Sequence, residues 1–161
     1  MKKQFLLMCL FLFSFSTLST AEMTNRAALE GLPQVKAVFD INQGNPNILK
    51  LRLQLIEKSY QQLKKAGIKP DFILTFRGKA SFFLTAGMEH IAIEDRDVQK
   101  EIHALLEMFS NRDIPLEQCA IAANLAGIDY EDFIPQVEVV TNGYVSLMAY
   151  QNKGYAFIPM E

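Results

Sequence analysis

The chain is short of the residues that most readily announce chemistry, with two cysteines, two histidines and no tryptophan among 161 residues. His90 and His103 are thirteen positions apart with no Cys or Asp cluster at ligand spacing, so no metal centre is expected and His103 reads as a helix-surface residue. No C-x-x-C occurs, which removes the dithiol redox motif. Neither G-x-x-x-x-G-K-[ST] nor G-x-G-x-x-G is present, so Gly44 and Gly78 read as turn glycines rather than phosphate cradles, and no cofactor is implied. Ser81 and Ser146 lack the G-x-S-x-G elbow of a serine hydrolase. Positive charge is in deficit, 16 Lys and Arg against 18 Asp and Glu, which disfavours nucleic acid as a partner.

Long apolar runs are also missing, apart from one at the start. Met1-Lys2-Lys3 is a positive beginning, Phe5 to Leu18 is almost wholly apolar, and Ser19-Thr20-Ala21 supplies small residues where a signal peptidase cuts. The run is diluted by Ser14, Ser16 and Thr17 and falls short of the roughly twenty residues a membrane span requires. Residues 1–21 are therefore expected to be a cleavable signal peptide, and the mature protein to be periplasmic or secreted, with no membrane contact after cleavage. Cys9 lies inside the run behind Met8, not behind the small residue of a lipoprotein site, and would leave with the peptide. Removal of 21 of the 161 residues leaves 140, enough for one domain with its own core. Lys2 and Lys3 go too, so 14 basic residues face 18 acidic ones, a net charge of −4. Cys119 then stands alone. It cannot close an internal disulfide, and is either a small buried core residue or present for its reactivity.

After a polar lead-in over 22–34, the domain expected over 35–161 alternates strands with helices. Val35 to Phe39 is a first strand and Asp40 to Gly44 a loop by composition. Asn45 followed by Pro46 caps a long helix that Gly67 stops, with Ile48, Leu51, Leu55, Ile56, Tyr60 and Leu63 as its apolar stripe and Leu53 off that stripe. Asp71 to Phe76 is a second strand and Ser81 to Thr85 a short helix. Val98, Ile102, Leu105, Leu106 and Phe109 mark an amphipathic helix, with Gln99 assigned to its polar side. Ile114 to Cys119 is a third strand feeding the helix Ala120 to Ala126, closed by Gly127. Val137 to Val140 is a fourth, turned by Asn142-Gly143 into a helix over Tyr144 to Asn152, and Tyr155 to Ile158 a fifth. The alternation predicts an α/β fold whose parallel sheet is covered on both faces.

Parallel strands joined by right-handed crossovers bring the loops after strands one to four to one edge, where ligands bind in such sheets. The candidates gathered there are Asn42, Gly44 and Asn45, then Arg77, Gly78 and Lys79, then Cys119, and finally Asn142 and Gly143. Cys119 ends a strand and precedes a helix, whose free N–H groups favour a thiolate. Arg77 or Lys79, if adjacent, would strengthen that and could hold an anionic sulfur compound. The off-stripe Leu53 suggests a second buried contact such as a subunit interface.

Three segments together resemble the DsrE/DsrF-like family, which includes the TusD-type sulfur carriers. They are Phe76-Arg77-Gly78-Lys79-Ala80, the run from Cys119 through the alanine-rich helix to Gly127, and Val139-Val140-Thr141-Asn142-Gly143 with Gln151-Asn152-Lys153-Gly154-Tyr155 behind it. The resemblance spans about Val35 to Pro159. It implies a three-layer α/β/α domain on a five-stranded parallel sheet, assembly into trimers or hexamers, and sulfane sulfur carried as a persulfide on Cys119. Its partners would be a small sulfur compound or a protein that donates or accepts persulfide sulfur. The other class in view is a non-catalytic oligomeric module that binds a small ligand or a partner while Cys119 merely packs.

Overall fold

A computed structural model describes residues 25–161, so the expected signal peptide lies outside the described residues. A single helical turn, α1 (Arg26–Leu29), falls within the segment read as a lead-in. The domain that follows, from Leu32 to Glu161, contains β1 (Gln34–Ile41), α2 (Pro46–Lys65), β2 (Lys69–Phe76), a 3₁₀ segment (Gly78–Leu84), α3 (Arg96–Ser110), β3 (Leu116–Cys119), α4 (Ala120–Ala126), β4 (Glu138–Val140), α5 (Gly143–Asn152) and β5 (Ala156–Met160).

The five strands form one parallel sheet in the order β4-β3-β2-β1-β5. From β1 to β4 each strand is laid beside the last, and right-handed crossovers place α2, α3 and α4 on one face. The chain then returns from the β4 edge to β5 beside β1, and the same handedness puts α5 on the other. Side-chain alternation agrees. Phe39 and Phe72 meet edge to face at 5.0 Å, and Phe72 meets Tyr60 of α2 at 6.0 Å, while their neighbours Val38 and Ile73 form a second core with Leu147 of α5. The fold is the three-layer α/β architecture on a five-stranded parallel sheet.

Local signals in the sequence explain the element ends. Asn45 Oδ1 accepts the Ile48 N–H at 3.1 Å with Pro46 in the first turn, and Gly127 closes α4 in the left-handed region at φ 67°. Asp40 and Ile41 belong to β1 rather than to the loop that composition suggested, because eight residues of β1 pair in register with β2.

Three sequence expectations are corrected. The buried stripe of α2 is Leu49, Leu53, Ile56 and Leu63, at steps of four, three and seven, and Leu53 is fully buried in the domain core. Leu53 therefore cannot be a subunit contact. Ile48, Leu51 and Leu55 are the exposed ones, on a second stripe rotated by more than a quarter turn, and the expected stripe had merged the two. Gln99 is buried on α3, its Nε2 donating to the carbonyls of Thr85 at 3.0 Å and Gly87 at 3.1 Å. An amide that spans two loop carbonyls has the polarity of a surface residue and the burial of a core one. His103 is half-buried, with Nε2 2.9 Å from the Phe83 carbonyl, and burial holds its pKa below the ordinary histidine value.

Candidate functional site

Between β3 and β4 the sheet has its switch point. The chain leaves β3 into α4 on one face and leaves β4 into α5 on the other, so a crevice opens at the carboxyl edge. Cys119 is the last residue of β3 and has the parity of Glu117, which meets α5, so the thiol points to the α5 side. Gly143, the first residue of α5, is packed against it. A Cβ at that position would lie 3.0 Å from the Cys119 Cβ, 3.3 Å from Thr75 Cγ2 and 3.6 Å from Cys119 Sγ. Only glycine allows this close approach without displacement. Asn142 fixes the turn, its Oδ1 accepting the Tyr144 N–H at 3.0 Å.

A groove of about 440 Å³ runs from Cys119 outward. Arg77, Gly78, Lys79 and Phe82 after β2 line it, with Ile121, Ala122, Leu125 and Ala126 of α4 and Tyr144 of α5. Cys119 is 3% exposed, so the groove meets a thiol that is nearly covered. Its backbone is held as well, because Gln118 Nε2 donates both to the Cys119 carbonyl at 2.9 Å and to Ser81 Oγ at 2.8 Å. The 3₁₀ segment is thereby pinned to the end of β3.

The charges around the groove are unequal in freedom. Arg77 donates from Nε and Nη2 to the two carboxylate oxygens of buried Asp40, each at 2.6 Å, and its guanidinium lies 4.9 Å from the Tyr144 ring centre. Asp40 holds the Arg77 pKa above its ordinary value, and the pair leaves that wall electrically satisfied. Lys79 is exposed, and none of the ion pairs among the described residues includes it.

Beneath α5, Asp40, Thr75 and Glu117 occupy one cross-strand row, all buried. Glu117 Oε1 accepts the Tyr150 hydroxyl at 2.7 Å, and burial, then Glu117, push the Tyr150 pKa above the ordinary phenol value. Thr75 Oγ1 and Glu117 Oε2 have no hydrogen-bond partner among the described residues.

Of the residues expected from sequence, Arg77, Gly78, Lys79 and Cys119 converge on the groove, and Gly143 and Asn142 stand immediately behind it. Asn42 supports the wall from outside, since a Cβ at Gly78 would lie 3.6 Å from its Cβ, and Gly44 lies under the Lys79 side chain. Asn45 does not reach the groove, its side chain being engaged in the α2 cap. Sequence reasoning missed Asp40, Tyr144 and Glu117. Asp40 ended the expected first strand by its composition, although it is two positions beyond Val38 on the α5 face. Among the described residues no three His, Cys, Asp or Glu side chains cluster to hold a metal, and no helix is long and apolar enough to cross a membrane.

An uncharacterized protein of Aquifex aeolicus is 31% identical over 163 residues, covering 99% of this chain, which spans 64% of that protein's length. A solved protein of unknown function from Methanobacterium thermoautotrophicum superimposes with a TM-score of 0.62 over 78% of this chain and 98% of its own, at 15% identity, which speaks for the fold. The ychN protein of E. coli covers the same shares at a TM-score of 0.48 and 15% identity. The model of the DsrE/DsrF-like family matches residues 36–160, from inside β1 to the end of β5, and the chain belongs to that family.

Proposed function

We propose that the protein is an exported sulfane-sulfur carrier that holds sulfur as a persulfide on Cys119. The observation that carries the reading is the position of Cys119, at the switch point of the sheet and at the inner end of a ligand-sized groove. In the forward step the Cys119 thiolate attacks the outer sulfur of a donor R–S–SH, the donor S–S bond breaks, and R–S⁻ leaves with its electron pair, giving Cys–S–SH. An acceptor thiolate repeats the exchange and regenerates the thiolate of Cys119. No oxidant or reductant is consumed, and one cysteine suffices. Family membership supports sulfur relay as the setting, the apolar N-terminal run supports export, and donor and acceptor are a small sulfur compound or a persulfide-bearing protein.

Exposed apolar side chains support self-association into a trimer or hexamer. Ile48, Leu51 and Leu55 form one such stripe on α2, and Val145 and Met148 an exposed apolar pair on α5. The second reading, a non-catalytic binding module, is favoured by the slight exposure of Cys119 alone. Intact mass separates the two. Incubation of the reduced protein with a sulfane donor should add about 32 Da, reversed by a thiol reductant and lost in Cys119→Ser. A wild-type protein that takes no sulfur, while small alkylating reagents still label Cys119, would exclude the carrier. Labelling seen only on denaturation would favour the module.

A further inference from the structure

The groove also bears on which donor can use it, an inference that rests on the carrier reading. Six of its ten lining residues, Phe82, Ile121, Ala122, Leu125, Ala126 and Tyr144, present hydrocarbon or an aromatic ring. Three of them, Ile121, Leu125 and Tyr144, are exposed, Leu125 by 86%, so apolar surface awaits cover along the path to the thiol. The two cations are not equivalent. Arg77 is bound through two hydrogen bonds to Asp40 and stacked on Tyr144, so its charge is already answered. Among the described residues Lys79 enters no ion pair, so its charge is unanswered there.

An inorganic dianion such as thiosulfate would have to shed water in front of a nearly covered cysteine, with one free cation to meet two charges and little polar surface to replace the lost hydration. Such desolvation is costly. A molecule with an apolar body and a single anionic sulfur group loses little on entering, covers the exposed leucine and tyrosine, and matches the one free charge. The volume of about 440 Å³ lies in the range of sites for small organic ligands and is generous for a small inorganic ion.

We propose that this groove selects an organic sulfane donor, an apolar thiosulfonate or the hydropersulfide of an apolar thiol, over inorganic thiosulfate. With a thiosulfonate R–SO₂–S⁻ the Cys119 thiolate attacks the terminal sulfur. The bond between that sulfur and the sulfonyl sulfur breaks, and the sulfinate R–SO₂⁻ leaves with the electron pair. The product is Cys–S–S⁻, and total charge is conserved at −2.

The test compares three probes on the full mature chain, benzenethiosulfonate, methanethiosulfonate and thiosulfate, with free cysteine as reference acceptor. The rate of the gain of about 32 Da is followed by intact mass. The ratio of benzenethiosulfonate to methanethiosulfonate rates should exceed that for free cysteine by about tenfold or more, the scale on which burial of one aromatic ring acts. Leu125→Ser, at an exposed position where folding is not at stake, should bring the ratio down towards the free-cysteine value. Lys79→Gln should slow both thiosulfonates by a similar factor. A ratio equal to that of free cysteine, or thiosulfate reacting as fast as benzenethiosulfonate, overturns the proposed selectivity and leaves the carrier reading standing. No sulfur gained from any of the three probes overturns the selectivity, and the carrier reading falls with it if a hydropersulfide donor also adds none while small alkylating reagents label Cys119.

Discussion

The Arg77–Asp40 pair invites perturbation from each side, because the two partners are buried unequally. The Asp40 side chain is 5% exposed beneath α5, and that of Arg77 is 19% exposed at the groove wall. In Arg77→Met, the carboxylate keeps its burial and loses both charge-assisted hydrogen bonds, a situation that typically costs about 3–5 kcal/mol. In Asp40→Asn, the guanidinium keeps its stacking on Tyr144 and can swing towards water, so the loss should be nearer about 1–2 kcal/mol, the scale of one hydrogen bond to a charged group. Urea unfolding followed by circular dichroism measures both, and the double variant should be less destabilised than the sum of the singles, since the two side chains share their interaction. The site responds too. In Asp40→Asn the Arg77 charge is no longer answered, so sulfur uptake from thiosulfate should rise relative to uptake from benzenethiosulfonate. Equal losses from the two single variants, or a loss below about 1 kcal/mol for Arg77→Met, would refute the view that Asp40 is the member held captive by the fold.

Leu53→Ala should cost about 2–5 kcal/mol in the same assay, as expected for a leucine lost from a packed core, whereas Leu51→Ala at a half-exposed position should stay within about 0.5 kcal/mol. Leu51→Glu should lower the molar mass in light scattering after size exclusion if α2 lies between subunits, and a wild-type protein with the mass of a single chain would end that idea. His103 is held below its ordinary pKa by burial, so the folded protein binds a proton there less readily than the unfolded chain. Stability should therefore fall as pH drops below about 6.5 and level off below the folded-state pKa. His103→Gln should lessen that slope in urea midpoints taken between pH 7.5 and 5, and an unchanged slope would remove His103 as its source.

Much of this architecture is legible in the sequence because it is local. The Asn45-Pro46 cap, the Gly127 stop, the Asn142-Gly143 turn and the run from Cys119 into an alanine-rich helix act within a few residues and appear where their chemistry puts them. What escapes is decided across the sheet. Asp40 is a loop former by composition and a strand residue by its pairing with Thr75. Gln99 looks solvated until the two carbonyls it satisfies are in place. On α2, both Leu49-Leu53-Ile56 and Ile48-Leu51-Leu55 are regular apolar stripes, and only the position of the sheet says which is core. The same holds for strand order, which periodicity does not encode, and strand order decides which loops are neighbours.

The return of the chain from β4 to β5 links these features into one site. Had the fifth strand been added beyond β4, its crossover would have joined the other helices on their own face, leaving Asp40, Thr75 and Glu117 on an open side of the sheet. By crossing back over three strands, α5 covers that polar row, supplies Tyr150 to Glu117 and Tyr144 to Arg77, and brings Gly143 against Cys119. A single helix thus buries Asp40, the acid that neutralises one wall of the groove, and shields the thiol from bulk water. Shielding of this kind suits the proposed persulfide, whose outer sulfur needs an approach for one chosen acceptor and little access for others. It also makes α5 the element through which access would be tuned, since Tyr144 is at once its first exposed side chain and a lining residue of the groove.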